Sequence, residues 1–313
     1  MSSTDRVGVH GLRGRVEIGL VDLFDGSATR DTEFMATFAR TAERCGVDGI
    51  WLPEHVVFFD EYTSTYPYPQ APSATDPDVK EQHNKTVDGK ARVEVADDQG
   101  LLDITQAAVE LCGATTRLRI GSSVLLLPLR NPRLFAREVA TVSALTGGRF
   151  DLGIGVGWSA EEFAACESEF RTRGRRCEEL LHQLDAAWSG RDPDSPPLPD
   201  VAPPRMLVGG HSPAAIRRAA TVATGWYPWN LTVSEFAEKL GSLDQQLTDA
   251  GRTRDEVHVV AGFRAVGEIA DIPEIVHRYA ELGADGVNIS LRMTDDGYVG
   301  TMEELATTLG LVA

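Results

Sequence analysis

Short apolar runs alternate along this chain with longer stretches in which apolar residues recur every three to four positions, and the alternation persists from one end to the other. Residues 15–24, 49–56, 118–127, 150–156, 205–210, 226–231, 257–264 and 286–291 read as eight strands. The central runs, such as 118–127, are apolar at nearly every position, the mark of strands buried on both faces in a parallel sheet. Between them lie helical patterns over 32–45, stopped by Gly46, and over 103–114. A third is opened by Asn131 as N-cap with Pro132 at the first helical position, and closed by Gly147 and Gly148. A long helical stretch then repeats Leu180, Leu181, Leu184, Ala187 and Trp188, and helices follow over 213–223 and around Ile272, Ile275, Val276, Tyr279 and Leu282.

Eight strand–helix units predict an α/β protein, a single (β/α)8 TIM barrel spanning residues 1–313. A doubly wound open sheet is the alternative; it needs a topological switch and usually a domain break, and no linker supplies one. Residues 57–100 break the rhythm. They are polar, rich in Tyr, Pro and Asp, and follow strand two, so they read as an insertion forming a lid over the carboxyl-terminal mouth.

Composition narrows the partners. A formal charge of −17, with acids and bases spread along the 313 residues, repels phosphate and disfavours nucleic acid and anionic membranes. No run approaches the roughly 20 apolar residues of a membrane span. The polar start MSSTDRVGVHGLRGR lacks a secretion-signal core, and four scattered cysteines fit reduced thiols, so a cytoplasmic protein is expected. Neither Cys nor His shows metal-site spacing, and no metal is expected.

The candidate chemistry lies where strands end. Gly153, Gly155 and Gly157 form GxGxG after a buried strand; this is either a tight strand-to-helix turn or a close approach to a ligand. Gly209-Gly210-His211-Ser212-Pro213 ends a strand and opens a helix, leaving N–H groups to hold an anion, most naturally a phosphate; the plain alternative is a capped helix. Glu54 and His55 end strand two, and the carboxylate beside the imidazole favours a proton-handling pair over a structural histidine. His182, His258 and His277 sit within element patterns and read as structural. Arg171, Arg173, Arg175 and Arg176 form a basic cluster, either a solvated face balanced by Glu167, Glu169, Glu178 and Glu179 or a site for an anionic cofactor. Tyr62, Tyr66, Tyr68, Trp226, Tyr227 and Trp229 suggest an aromatic-walled pocket for a sizeable apolar molecule, though such residues are as often core.

The ordered set SVLLLPLRNPRLFAREVATVSALTGGRFDLGIGVGW, EEF, RGRRCEELL and LVGGHSPAAIRRAA resembles the luciferase-like monooxygenase superfamily, in particular its coenzyme F420-dependent oxidoreductase branch. The resemblance covers nearly the whole chain. It implies a barrel, usually a homodimer, holding a flavin or deazaflavin at the carboxyl ends of the strands. It implies a non-prolyl cis peptide at Ser123–Val124, behind the ring, with small Ser122 beside it. It also places His55 near the ring, Gly155, Val156, Gly157 and Trp158 at the strand-four turn, and Gly209, Gly210 and His211 at the phosphate. Glu54 departs from the aspartate of the sugar-phosphate dehydrogenase relatives, and the insertion differs too, so their substrate is not carried over. The function expected is hydride transfer between F420 and a small organic substrate, with His55 moving the proton and Glu54 setting its tautomer. The alternatives are an FMN-dependent monooxygenase on the same fold, which would need a flavin reductase as partner, and a non-catalytic ligand-binding barrel.

Overall fold

The computed structural model describes residues 8–12, 14–21, 32–59, 62–73, 75–82, 86–87, 90–91, 101–195, 197–291 and 293–311. Eight parallel strands run β1 (Glu17–Val21), β2 (Gly49–Leu52), β3 (Arg119–Ser122), β4 (Phe150–Gly155), β5 (Arg205–Gly209), β6 (Gly225–Tyr227), β7 (His258–Arg264) and β8 (Gly286–Ser290). Each pairs with its neighbours in sequence, and β8 pairs with β1, Gly286 opposite Glu17, so the sheet closes into a (β/α)8 barrel. Past β3 the chain rejoins β4 at Leu125–Leu126, around an irregular step at Ser123 and Val124. The end of expected strand one, residues 22–24, lies outside the described residues.

Helices cover the outside: α1 (Thr32–Arg44), α2 (Ile104–Gly113), α3 (Pro132–Leu145), α4 (Ala160–Ala165), α5 (Arg173–Trp188), α6 (Pro213–Thr221), α7 (Val233–Asp249), α8 (Ile272–Leu282) and α9 (Tyr298–Thr308). Their starts follow from side-chain caps. Asn131 accepts from Leu134 N–H ahead of Pro132, and Ser212 accepts from Ala215 N–H ahead of Pro213. The long helix expected after β4 is instead two, because Cys166 ends α4 and Glu167 turns left-handed at φ 53°. Strand six is also shorter than its apolar run: it stops at Tyr227, since Pro228 has no N–H to donate, and Trp229 makes only an isolated bridge to Gly262.

Two layers fill the structure. The larger core packs strand residues such as Ile18, Ile120 and Leu152 against Phe38, Phe135 and Leu181 of the helices. The smaller one lies within the ring, where Trp51 and Tyr227 meet at 5.0 Å beside Val21, Leu207 and Val260. At the strands' amino ends a charged layer replaces apolar packing. Asp151, 1% exposed, accepts two hydrogen bonds from Arg119 and two from Arg205, all at 2.6–2.7 Å. Arg205 reaches on to Glu17 at 3.0 Å and to His258 at 2.8 Å. Charge at this end of a barrel serves stability, and function belongs to the opposite end.

Candidate active site

The carboxyl-terminal mouth holds a cavity of about 590 Å³, within the usual range for a small-molecule site. Its floor comes from the step after β3. The Ser123–Val124 peptide is cis, as the resemblance implies. Val124 projects between β4 and β5, where a side chain on Gly155 would put its Cβ 2.4 Å from Val124 Cγ2, and one on Gly209 would sit 3.0 Å from Cγ1. Both strand-end glycines are therefore bare so that Val124 can lie flat against them. Ser123 Oγ pairs with Tyr227 Oη at 2.9 Å, and burial pushes that phenol up to about 12.

One wall carries the titratable groups. His55, its side chain 11% exposed, lies edge-on to Trp158 at 6.0 Å and against Phe58 at 5.2 Å. Its Nδ1 faces Glu162 Oε2 at 3.3 Å, while Oε1 of the same carboxylate accepts from Val56 N–H at 2.6 Å. Glu54, expected to set the tautomer of His55, is committed elsewhere: it accepts from Leu126 N–H at 2.6 Å and pairs with Arg130. Burial raises the Glu54 pKa above the usual carboxylate range and the Arg130 guanidinium opposes the shift. The structure thus turns Glu54 toward the β3 step and gives His55 a different carboxylate.

Across the cavity, Gly155, Val156, Gly157, Trp158, Gly209 and Gly210 line the wall as the motifs suggested. Ser122 does not; fully buried, it donates to Gly153 O at 2.7 Å. Gly210 adopts φ 90°, where only glycine is unstrained, but its own N–H donates to Tyr227 O at 3.0 Å. Any anion there would use the N–H groups that follow it. His211 stands behind Tyr68, rings 5.5 Å apart, and its burial and nearby Lys80 lower its pKa. Of the four clustered arginines only Arg173 reaches the cavity; it lies over the Phe170 ring at 3.8 Å and donates to Gly157 O at 3.0 Å. Arg175 pairs with Glu179 on the helix face, and Arg176 caps the carbonyls of Pro128 and Arg130.

Of the six aromatics singled out, Tyr66, Tyr68, Tyr227 and Trp229 line the cavity, and Tyr62 packs on Trp158 at 5.1 Å. Trp226 faces outward, stacked on Phe236, with Nε1 donating to Gly210 O at 2.8 Å. Sequence reasoning missed Glu162 and the buried Arg264, which also lines the wall. Ser159-x-x-Glu162 spells a capping box, in which the glutamate would turn back on its own helix; here it reaches across to the loop after β2 instead.

Two stretches of the insertion are tied to the barrel. Thr63 and Ser64 N–H donate to Glu161 at 2.6 and 3.0 Å. Within a hairpin of Gln70–Pro72 with Lys80–Gln82, Asp78 of the connecting turn accepts from Ser234 N–H at 2.8 Å and Lys80 pairs with Glu235 at 2.7 Å, Ser234 and Glu235 both on α7. Between the anchors, Tyr66, Pro67 and Tyr68 face the cavity. Residues 60–61, 74, 83–85, 88–89 and 92–100 of the expected lid lie outside the described residues. Among the described residues no group of His, Cys, Asp and Glu is placed to hold a metal ion, and no helix is long and apolar enough to cross a membrane.

A closed barrel with a deep cavity at the carboxyl ends of its strands, a histidine on its wall and glycines on its floor has the architecture of a (β/α)8 enzyme. Residues 90–306 match the luciferase-like monooxygenase model, and the chain belongs to that family. It is 30% identical to an uncharacterized protein of Mycobacterium tuberculosis (strain ATCC 25618 / H37Rv), over 85% of this chain and 88% of that one. Among solved structures it resembles an F420-dependent secondary alcohol dehydrogenase in complex with an F420-acetone adduct, with TM-score 0.68 and 12% identity over 95% of this chain and 99% of that one. It also resembles a riboflavin lyase holding modified FMN and riboflavin, with TM-score 0.68 and 14% identity over 95% and 92%. Neighbours with either cofactor therefore share the fold.

Proposed function

We propose that the protein is an oxidoreductase that moves a hydride between coenzyme F420 and an organic substrate, both held in the cavity at the barrel mouth. The observation that carries this reading is His55: a titratable ring on a largely apolar wall, its Nδ1 turned onto a buried carboxylate. A group so placed serves a reaction in which a proton follows a hydride, as between an alcohol and a ketone.

The residues suit a flat tricyclic ring carrying a phosphate. Val124 offers an apolar support, and Gly155 and Gly209 leave the floor bare beside it. Arg173 supplies a cation whose burial lowers its pKa without removing its charge, and the N–H groups of His211 and Ser212 lie at the start of α6. When bound, F420 supplies a ring carbon that gives or takes a hydride, in place of the nitrogen with which flavins react with oxygen. His55 holds or releases the proton at Nε2. Trp158, Tyr66 and Tyr68 close the wall above it and keep water from the reacting atoms.

The likeness to an FMN-containing barrel favours a second reading, an FMN-dependent monooxygenase with a reductase partner. Equilibrium binding and absorption spectra of the purified protein with F420 and with FMN separate the two. Tight F420 binding supports the first; tight FMN binding without F420 binding transfers the assignment to the second.

A further inference from the structure

The geometry points to Glu162 as the positioning residue that fixes the proton of neutral His55 on Nδ1 and so leaves Nε2 as the nitrogen that accepts a proton at the cavity. This rests on the reading of His55 as the group that moves a proton, and adds to it the residue that sets its state.

Glu162 is 1% exposed. A carboxylate buried so fully is costly unless it is paired and hydrogen-bonded. Its ion-pair partner among the described residues is His55, at 3.3 Å. Its other oxygen takes the N–H of Val56 at 2.6 Å and that of Val57 at 3.5 Å. Both backbone groups bonded to it are donors, and a carboxylate can only accept, so the ring nitrogen facing its other oxygen bonds to it only as a donor. Neutral His55 must place its hydrogen on Nδ1, which leaves a lone pair on Nε2. Once Nε2 has taken a proton, the same carboxylate balances the imidazolium.

The position of Glu162 is itself fixed. Ser159 Oγ accepts from Glu162 N–H at 3.1 Å at the start of α4, and Phe163, fully buried, anchors the next position. The carboxylate therefore joins α4 to the loop after β2 and holds ring and loop backbone together. Its neighbour Glu161 does a separate task, binding Thr63 and Ser64 of the insertion.

Glu162→Gln tests the assignment because it is nearly isosteric. The N–H groups of Val56 and Val57 retain the amide oxygen, so the amide NH2 turns to Nδ1 and donates to it. The hydrogen of neutral His55 must then move to Nε2. Ring 15N spectra of histidine-labelled protein, with His55 assigned by its loss in His55→Ala, should show Nδ1–H in the wild type and Nε2–H in Glu162→Gln. Glu161→Gln should keep Nδ1–H. In turnover, Glu162→Gln should lose roughly 10²–10⁴-fold in kcat with cofactor affinity little changed, the cost of a general base in the wrong tautomer. Nε2–H in the wild type, an unchanged tautomer in Glu162→Gln, or the same switch in Glu161→Gln would each overturn the assignment. If the glutamine variant does not fold, the wild-type spectrum decides alone. The spectra are read on the protein without cofactor, so their failure removes Glu162 and leaves the choice of cofactor to the binding titration.

Discussion

Gly155→Ala is the sharpest probe of the cavity floor. Gly155 has no left-handed φ to lose, so the substitution acts through its new methyl group alone. That Cβ would lie 2.4 Å from Val124 Cγ2, roughly 1 Å inside the ~3.5–4.0 Å at which carbon atoms attract. Strand β4 is held on both sides by β3 and β5, and Gly155 itself is paired with Leu126, so the strand does not yield. Val124 does, and the open space available to it is the cavity. Overpacking of this kind costs about 1–3 kcal/mol. In the free variant Val124 should relieve most of it by leaning into the cavity; in the proposed complex the ring would occupy that space. The cost then falls on binding, where each ~1.4 kcal/mol is tenfold, for an expected loss of roughly 5- to 150-fold in cofactor affinity. Fluorescence titration with F420 and FMN reads the affinity, and a thermal melt reads the fold. An unchanged Kd in a variant that melts like wild type would show that the ring does not rest on Val124.

Four other outcomes follow from the same structure. His55→Ala should lose roughly 10²–10⁴-fold in single-turnover reduction of bound cofactor while affinity falls much less; equal rates would take His55 out of the chemistry. Arg173→Gln should weaken FMN by roughly 10- to 150-fold, the worth of a charge-assisted contact, and riboflavin hardly at all; equal losses would place the phosphate elsewhere. Asp151→Ala leaves Arg119 and Arg205 without their shared carboxylate and should cost about 3–5 kcal/mol in urea unfolding, with an unmoved midpoint as the contrary result. For Glu17, burial alone would raise the pKa, but hydrogen bonds from His258 and Arg205 outweigh it and hold it at about 2. A carboxyl group lowered in the folded state adds stability above its unfolded pKa, so this contribution should fade as pH drops from about 4.5 towards 2. Glu17→Gln should flatten that part of the acid-unfolding curve.

The barrel was legible because its strands are apolar at nearly every position and its helices begin with caps that spell themselves out, as at Asn131-Pro132 and Ser212-Pro213. The misses among the charged residues of the site share one cause. Long-range pairing decides them, and periodicity carries no trace of it. Glu162 lies 107 positions from His55, and Arg130 lies 76 from Glu54, so adjacency in sequence paired Glu54 with the wrong neighbour. The same holds for the arginine cluster, where α5 turns Arg173 to the cavity and its neighbours to other partners. Trp226 and Tyr227 alternate faces of one strand, which sends one ring outward and the other into the barrel. The cis step was legible only through family resemblance, since nothing in the residue types Ser-Val requires it.

The charged layer at the amino ends has a consequence for how the chain folds. Arg119 and Asp151 come from successive strands and can meet early. Glu17 and Arg205 are separated by 188 positions and meet only when β1 has docked between β2 and β8. Before that, two guanidinium groups share one carboxylate; afterwards, two share two. Closing the ring therefore neutralises a surplus cation, and it does so at the step that carries the largest loop-closure entropy. A partly wound barrel forgoes that gain, so the charged layer favours the closed ring over partly wound forms.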